Sequence, residues 1–137
     1  MIKVFLDTNI LVDYVDNRDQ RNFSRFIIEL GKNGEVELCA SYLTYANMAY
    51  ILRHRPNKYS LLQQARKDIT VLMPTLTQLD YALVNEVKDF EDLLQYQCAV
   101  EGGCDVIISN NTKDFKEFCT LPLFTSEDFV VNWLTNV

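Results

Sequence analysis

The sequence predicts an α/β fold, a three-layer α/β/α sandwich around a mostly parallel sheet of four or five strands. Three observations predict it. Short apolar runs without polar alternation (KVFL, VELCA, DVIIS) recur along the chain, the pattern of strands buried on both faces. Between them lie stretches of helical period such as NFSRFIIEL, with Phe23, Phe26, Ile27 and Leu30 on one side. Their alternation supplies the helical crossovers that parallel strands require.

Taken in order, Ile2–Leu6 is the first strand, and Thr8 or Asn9 can cap a short helix over Ile10–Tyr14. Asn22–Leu30 is the second helix, ended by Gly31–Gly34, and Val36–Ala40 is the next strand. Ser41 or Thr44 caps a helix through Leu52. A further helical stretch opens at Pro56 and carries Leu61, Leu62 and Ala65. Ile69–Met73 is a short strand closed by Pro74. Thr77–Val87 and Asp89–Glu101 are helices, and Gly102 with Gly103 stops the second. Asp105–Ser109 and Leu121–Phe124 are strands, and Ser126 caps a last helix to Leu134.

At 137 residues the expectation is one domain spanning 1–137. No apolar run approaches the roughly 18 residues of a membrane-spanning helix. The opening MIKVFLDTN is a strand pattern rather than a basic leader with an apolar core, so a cytoplasmic protein is expected. Cys39, Cys98, Cys104 and Cys119 form no C-x-x-C pair and lie in or beside apolar stretches, which reads as buried, reduced thiols. The net charge of −6 argues against a protein that grips nucleic acid mainly through basic phosphate contacts. It leaves open a metal-dependent nuclease, whose cations carry the positive charge.

In parallel α/β folds the site lies beyond the carboxyl ends of the strands, near a topological switch point. Asp7 stands at such an end, and so do Ser109 to Asn111. Asp7 follows a buried strand directly, where an unpaired carboxylate costs several kcal/mol. It either caps the next helix or belongs to a site. Asp89 and Asp92 share a helix face, and either can point toward the strand ends. Asp114, after DVIIS, fits a turn or the same site. Three carboxylates converging there without a basic partner repel one another, and Mg²⁺ or Mn²⁺, which prefers oxygen ligands, is the natural remedy. His54, the only histidine, sits in the basic patch LRHRP and reads as a surface residue.

The stretches FLDTNILVDY, SYLTYANMAYIL and DFEDLLQYQCAVEGGCDVIISNNTKDF resemble the PIN-domain ribonucleases in order, spacing and apolar pattern, from Ile2 to about Phe129. The resemblance implies a PIN-like α/β/α domain and a metal-dependent endonuclease selective for single-stranded RNA. It also implies frequent homodimers and, for many short bacterial and archaeal members, a toxin held by a cognate antitoxin protein. Carried over by position, Asp7, Asp92 and Asp114 are the catalytic, metal-binding acids, and Asn111 joins them in the final loop. Ser109 and Asn9 orient the first aspartate. One position departs from the pattern. The helix after strand two normally brings a glutamate, and the matching residue here is Asn47, which offers a cation one neutral oxygen and removes a full charge.

That departure supports an alternative, a catalytically weakened PIN-like domain that binds nucleic acid or a protein. A phosphotransfer domain with an aspartyl nucleophile is a third class. It needs a second acid beside Asp7 and a lysine after a later strand, and only Lys113 is on offer.

Overall fold

The computed structural model describes residues 1–136. In chain order its elements are β1 (Lys3–Leu6), α1 (Thr8–Val15), α2 (Arg21–Lys32), β2 (Glu37–Ser41), α3 (Tyr42–Ile51), α4 (Lys58–Arg66), β3 (Thr70–Leu72), α5 (Leu76–Asn85), α6 (Phe90–Glu101), β4 (Val106–Ile108), a 3₁₀ turn (Thr112–Asp114), β5 (Leu123–Phe124) and α7 (Ser126–Thr135). The five strands form one sheet in the order β3-β2-β1-β4-β5, and every pairing is parallel.

The strands divide their side chains between two cores, as a pleat with period two demands. Val4, Leu6, Leu38, Ala40 and Ile108 point to one side, where they meet α1, α2, α3, α4 and α7 through residues such as Ile10, Ile27, Met48, Leu61 and Phe129. Phe5, Cys39 and Ile107 point to the other, against Ala82 of α5, Leu93, Tyr96 and Ala99 of α6, and Phe115. The expected three layers are present, with the sheet in the middle. All four cysteines are free; three are buried and Cys119 is half-buried. No helix among the described residues is long and apolar enough to cross a membrane.

Several boundaries differ from the sequence reading, each for a local reason. Of the residues offered as caps for α1, Asp7 takes the position rather than Thr8 or Asn9, because its carboxylate accepts from the Thr8 N–H. Gly31 does not end α2, which runs on to Lys32. It sits inside the helix at its contact with β2, where a Cβ would come within 2.7 Å of Leu38 Cγ. Of the two candidate caps for α3, Ser41 does the work, accepting from Leu43 N at 3.1 Å. Thr75 caps α5 through a reciprocal box with Gln78. Thr125, not Ser126, caps α7, accepting from Asp128 N at 3.1 Å.

The chain runs outward from β1 through β2 to β3, returns over α5 and α6, and lays β4 on the other flank of β1. The switch point therefore lies between the carboxyl ends of β1 and β4, where Asp7 and Ser109 stand.

Candidate functional site

Asp7 is fixed by hydrogen bonds through its backbone and through both carboxylate oxygens. Its N–H donates to Ile108 O at 3.0 Å, a last rung between β1 and β4. Oδ1 accepts from Thr8 N at 2.8 Å; Oδ2 accepts from Ser109 Oγ at 2.7 Å and from Asn9 Nδ2 at 3.2 Å. Capping and site geometry are thus not alternatives, since one oxygen caps α1 while the other is turned by Ser109 and Asn9. The residue is only 7% exposed. Burial pushes its carboxyl above the usual range, the bonds from Ser109 and Thr8 pull it down, and the charges of Glu91 and Asp114 push it up again.

Around Asp7 opens a cleft of about 330 Å³. The β1–α1 corner contributes Asp7, Thr8 and Asn9; α3 contributes Asn47, Tyr50 and Ile51; α6 contributes Glu91 and Asp92; and the loop after β4 contributes Asn111. None of these is basic. Asp92 is half-buried, and its carboxyl is pushed up to about 7, first by burial and then by Asp7, Asp114, Asp89 and Glu91. The first turn of α6 ordinarily favours anions; crowding overrides that here.

Asp114, on the 3₁₀ turn, opens instead into a neighbouring depression with Lys88, Asp89, Lys113 and Glu117. Asp92 links the two, because Asp89, Asp92 and Asp114 present carboxylate oxygens within 4.8 Å of one another. Of the two acids that share this helix face, Asp92 lines the cleft and Asp89 lines the adjoining depression. Asn111 lines the cleft, its N–H donating to Ser109 Oγ at 3.0 Å.

Asn47 reaches the cleft as its position on α3 suggests, and its Nδ2 donates to Glu91 Oε1. Glu91 was not singled out from sequence. It is one of three acids within four residues, and only the pose of α6 against α3 tells them apart. Asn110, placed with Ser109 and Asn111 at the strand end, has a role the sequence does not assign. Its N–H donates to Asn9 Oδ1 at 3.2 Å and its Nδ2 to Asp13 at 3.1 Å, while its Oδ1 accepts from Ser126 N at 2.9 Å. It ties α1 and the start of α7 to the loop that carries Asn111. Thr8, which lines the cleft, joins a buried polar cluster with Thr44 and Gln95, with hydroxyl contacts of 3.3 and 3.4 Å. His54 is exposed, as expected, and lines no part of the cleft.

Within the cleft the donor atoms include crowded carboxylate oxygens and no side chain is basic, a combination that suits a hard divalent cation.

The PIN domain family model matches residues 3–113. The chain is 26% identical to "Ribonuclease VapC1" of Aquifex aeolicus (strain VF5), over 97% of this chain and 96% of the relative. Among solved structures it resembles DNA-bound VapBC from Salmonella typhimurium (TM-score 0.71, 16% identity, 92% of this chain and 99% of that one). It also resembles VapBC2 from Rickettsia felis bound to a promoter DNA fragment (TM-score 0.67, 19% identity, 89% and 97%). With the parallel sheet, the switch-point carboxylate and a family match over most of its length, this chain belongs to the PIN domain family.

Proposed function

We propose that this protein is a metal-dependent endoribonuclease cleaving single-stranded RNA, and that it is the toxin of a toxin–antitoxin pair. The observation that carries the reading is the cleft itself. Asp7 and Asp92 face it from two elements, with carboxyl groups held above their usual range and no basic side chain lining it. Mg²⁺ or Mn²⁺ is the cation that fits, with Asp7, Asp92 and Asp114 as acids and Asn111 and Asn47 as neutral oxygen donors. When bound, such a cation activates a water molecule and neutralises charge on the phosphodiester.

The chain's own residues prepare that site. Ser109 and Asn9 hold Oδ2 of Asp7, and Thr8 N–H holds Oδ1, so the carboxylate meets its ligand with its rotamer already set. Asn47 lacks the charge of the family's glutamate, but its amide steadies the Glu91 carboxylate at the same wall of the cleft. Three buried thiols among four free cysteines suit a reducing cytoplasm.

An antitoxin partner is supported by the VapBC structures that share the fold. Exposed Leu76, Leu79, Leu83 and Val84 on α5 offer apolar surface that a second copy could cover in a homodimer. Asn47 favours one second reading, a catalytically weakened domain that binds nucleic acid or protein. A cleavage assay on single-stranded RNA with Mn²⁺ separates the two.

A further inference from the structure

The cleft has one wall that its acids do not explain. Tyr50, near the end of α3, lines it one helical turn after Asn47 and is 67% exposed. Ile51 beside it also lines the cleft and is exposed. A large aromatic left open to water at the mouth of an acidic cleft contributes little to the fold. Its ring is nevertheless held in place, because the Arg53 guanidinium lies over it, 4.1 Å from the centroid. Arg53 also donates to Tyr50 O at 2.8 Å. Nearby Arg55 is engaged by Asp16 at 3.0 Å, whereas Arg53 makes no ion pair among the described residues.

A fixed, exposed aromatic with an unpaired guanidinium is the combination on which unpaired bases stack while a phosphate is taken by the cation. It also supplies, in a chain of net charge −6, a local positive foothold at the Tyr50 wall of the cleft. We propose that Tyr50 and Arg53 form a binding platform for single-stranded RNA. One base stacks on the free face of Tyr50, and Arg53 contacts the adjoining phosphate, so that the neighbouring phosphodiester lies over Asp7 and Asp92. This rests on the ribonuclease reading above and names the surface that presents the strand.

The test is fluorescence anisotropy with a labelled single-stranded oligoribonucleotide and with its duplex, in EDTA. It is run on an Asp92→Asn background, which removes one repelling charge and blocks turnover. The single strand should bind more tightly than the duplex. Tyr50→Leu should weaken single-strand binding about tenfold and abolish that preference, while Tyr50→Phe should keep both. Arg53→Gln should weaken binding and lower the salt slope by about one. Because Tyr50 is largely exposed, these variants leave the core intact, which an unchanged thermal melt would verify. If Tyr50→Leu binds the single strand as its parent does, the platform is wrong and the ribonuclease reading stands. If neither strand binds the parent at all in EDTA, the platform is wrong, and the ribonuclease reading is decided separately by cleavage of single-stranded RNA with Mn²⁺.

Discussion

Ser109 Oγ donates to Asp7 Oδ2 at 2.7 Å, joining the ends of two adjacent parallel strands through side chains 102 positions apart in sequence. The bond is buried, and it couples the fold to the site. Ser109 Oγ in turn accepts from Asn111 N at 3.0 Å, so one hydroxyl orders both the first acid and the loop that follows β4. Ser109→Ala should destabilise the protein by about 1–3 kcal/mol, the usual range when a buried polar group loses its partner. It should also push the Asp7 carboxyl further up. Chemical denaturation of the two proteins at neutral pH measures the difference.

The titration of Asp92 sets a pH dependence whose sign follows directly. Its folded pKa is raised from 3.8 to about 7, so between those values the folded state binds the proton more tightly than the unfolded chain. Stability from this group is fully present below about pH 3.8 and is lost as pH rises through about 7. The raised Asp7 carboxyl acts in the same direction. Metal-free Asp92→Asn should therefore be more stable than the parent above pH 7, by about 1 kcal/mol once solvent screening of a half-buried group is allowed for, and should melt higher. At low pH the two should converge. Melting curves in EDTA across that range check it.

Neutralising Asp7 should act differently, although it too is an acid with a raised pKa. Its Oδ2 receives two donors, Ser109 Oγ and Asn9 Nδ2, so an amide NH₂ at that position would face another NH₂. Asp7→Asn gains relief from charge and loses bonds, and should not show the rise in melting temperature expected of Asp92→Asn. Both variants should lose stabilisation by Mn²⁺, which thermal melts with and without the ion measure.

Asn47 and Glu91 share a hydrogen bond, so changing either alone alters the charge of one wall. Asn47→Glu sets two carboxylates together. It should lower the metal-free melting temperature by a few degrees and enlarge the Mn²⁺-induced rise. Adding Glu91→Gln should remove the penalty. An Asn47→Glu protein that matches the parent with and without Mn²⁺ would mean that position 47 does not influence the site.

Much of this was legible in the sequence, and the reasons differ residue by residue. Val4, Phe5 and Leu6 form an apolar run of a kind that parallel strands buried on both faces require, and Asp7 interrupts it at the position where such folds place their sites. Ser109 follows from the same logic applied to DVIIS. Local chemistry stops there. Whether Asp89, Glu91 or Asp92 enters the cleft depends on how α6 is rotated against α3, a tertiary choice that helix spacing cannot rank. Asp114 lines the adjoining depression, yet its carboxylate lies within 4.8 Å of that of Asp92 and its charge acts on Asp7, a proximity set by the turn after β4. Asn110 and Asn111 are adjacent and chemically identical, yet one clamps α1 to α7 and the other lines the cleft. Only the turn after β4 separates them.

The most direct measurement of the central claim is cleavage of a labelled single-stranded RNA by the purified protein, with Mn²⁺, with Mg²⁺ and in EDTA, beside the Asp92→Asn variant. A metal-dependent nuclease gives endonucleolytic products with Mn²⁺, slower cleavage with Mg²⁺, and none in EDTA or with Asp92→Asn. Cleavage that persists in EDTA, or that is as fast with Asp92→Asn as with the parent, would contradict that reading.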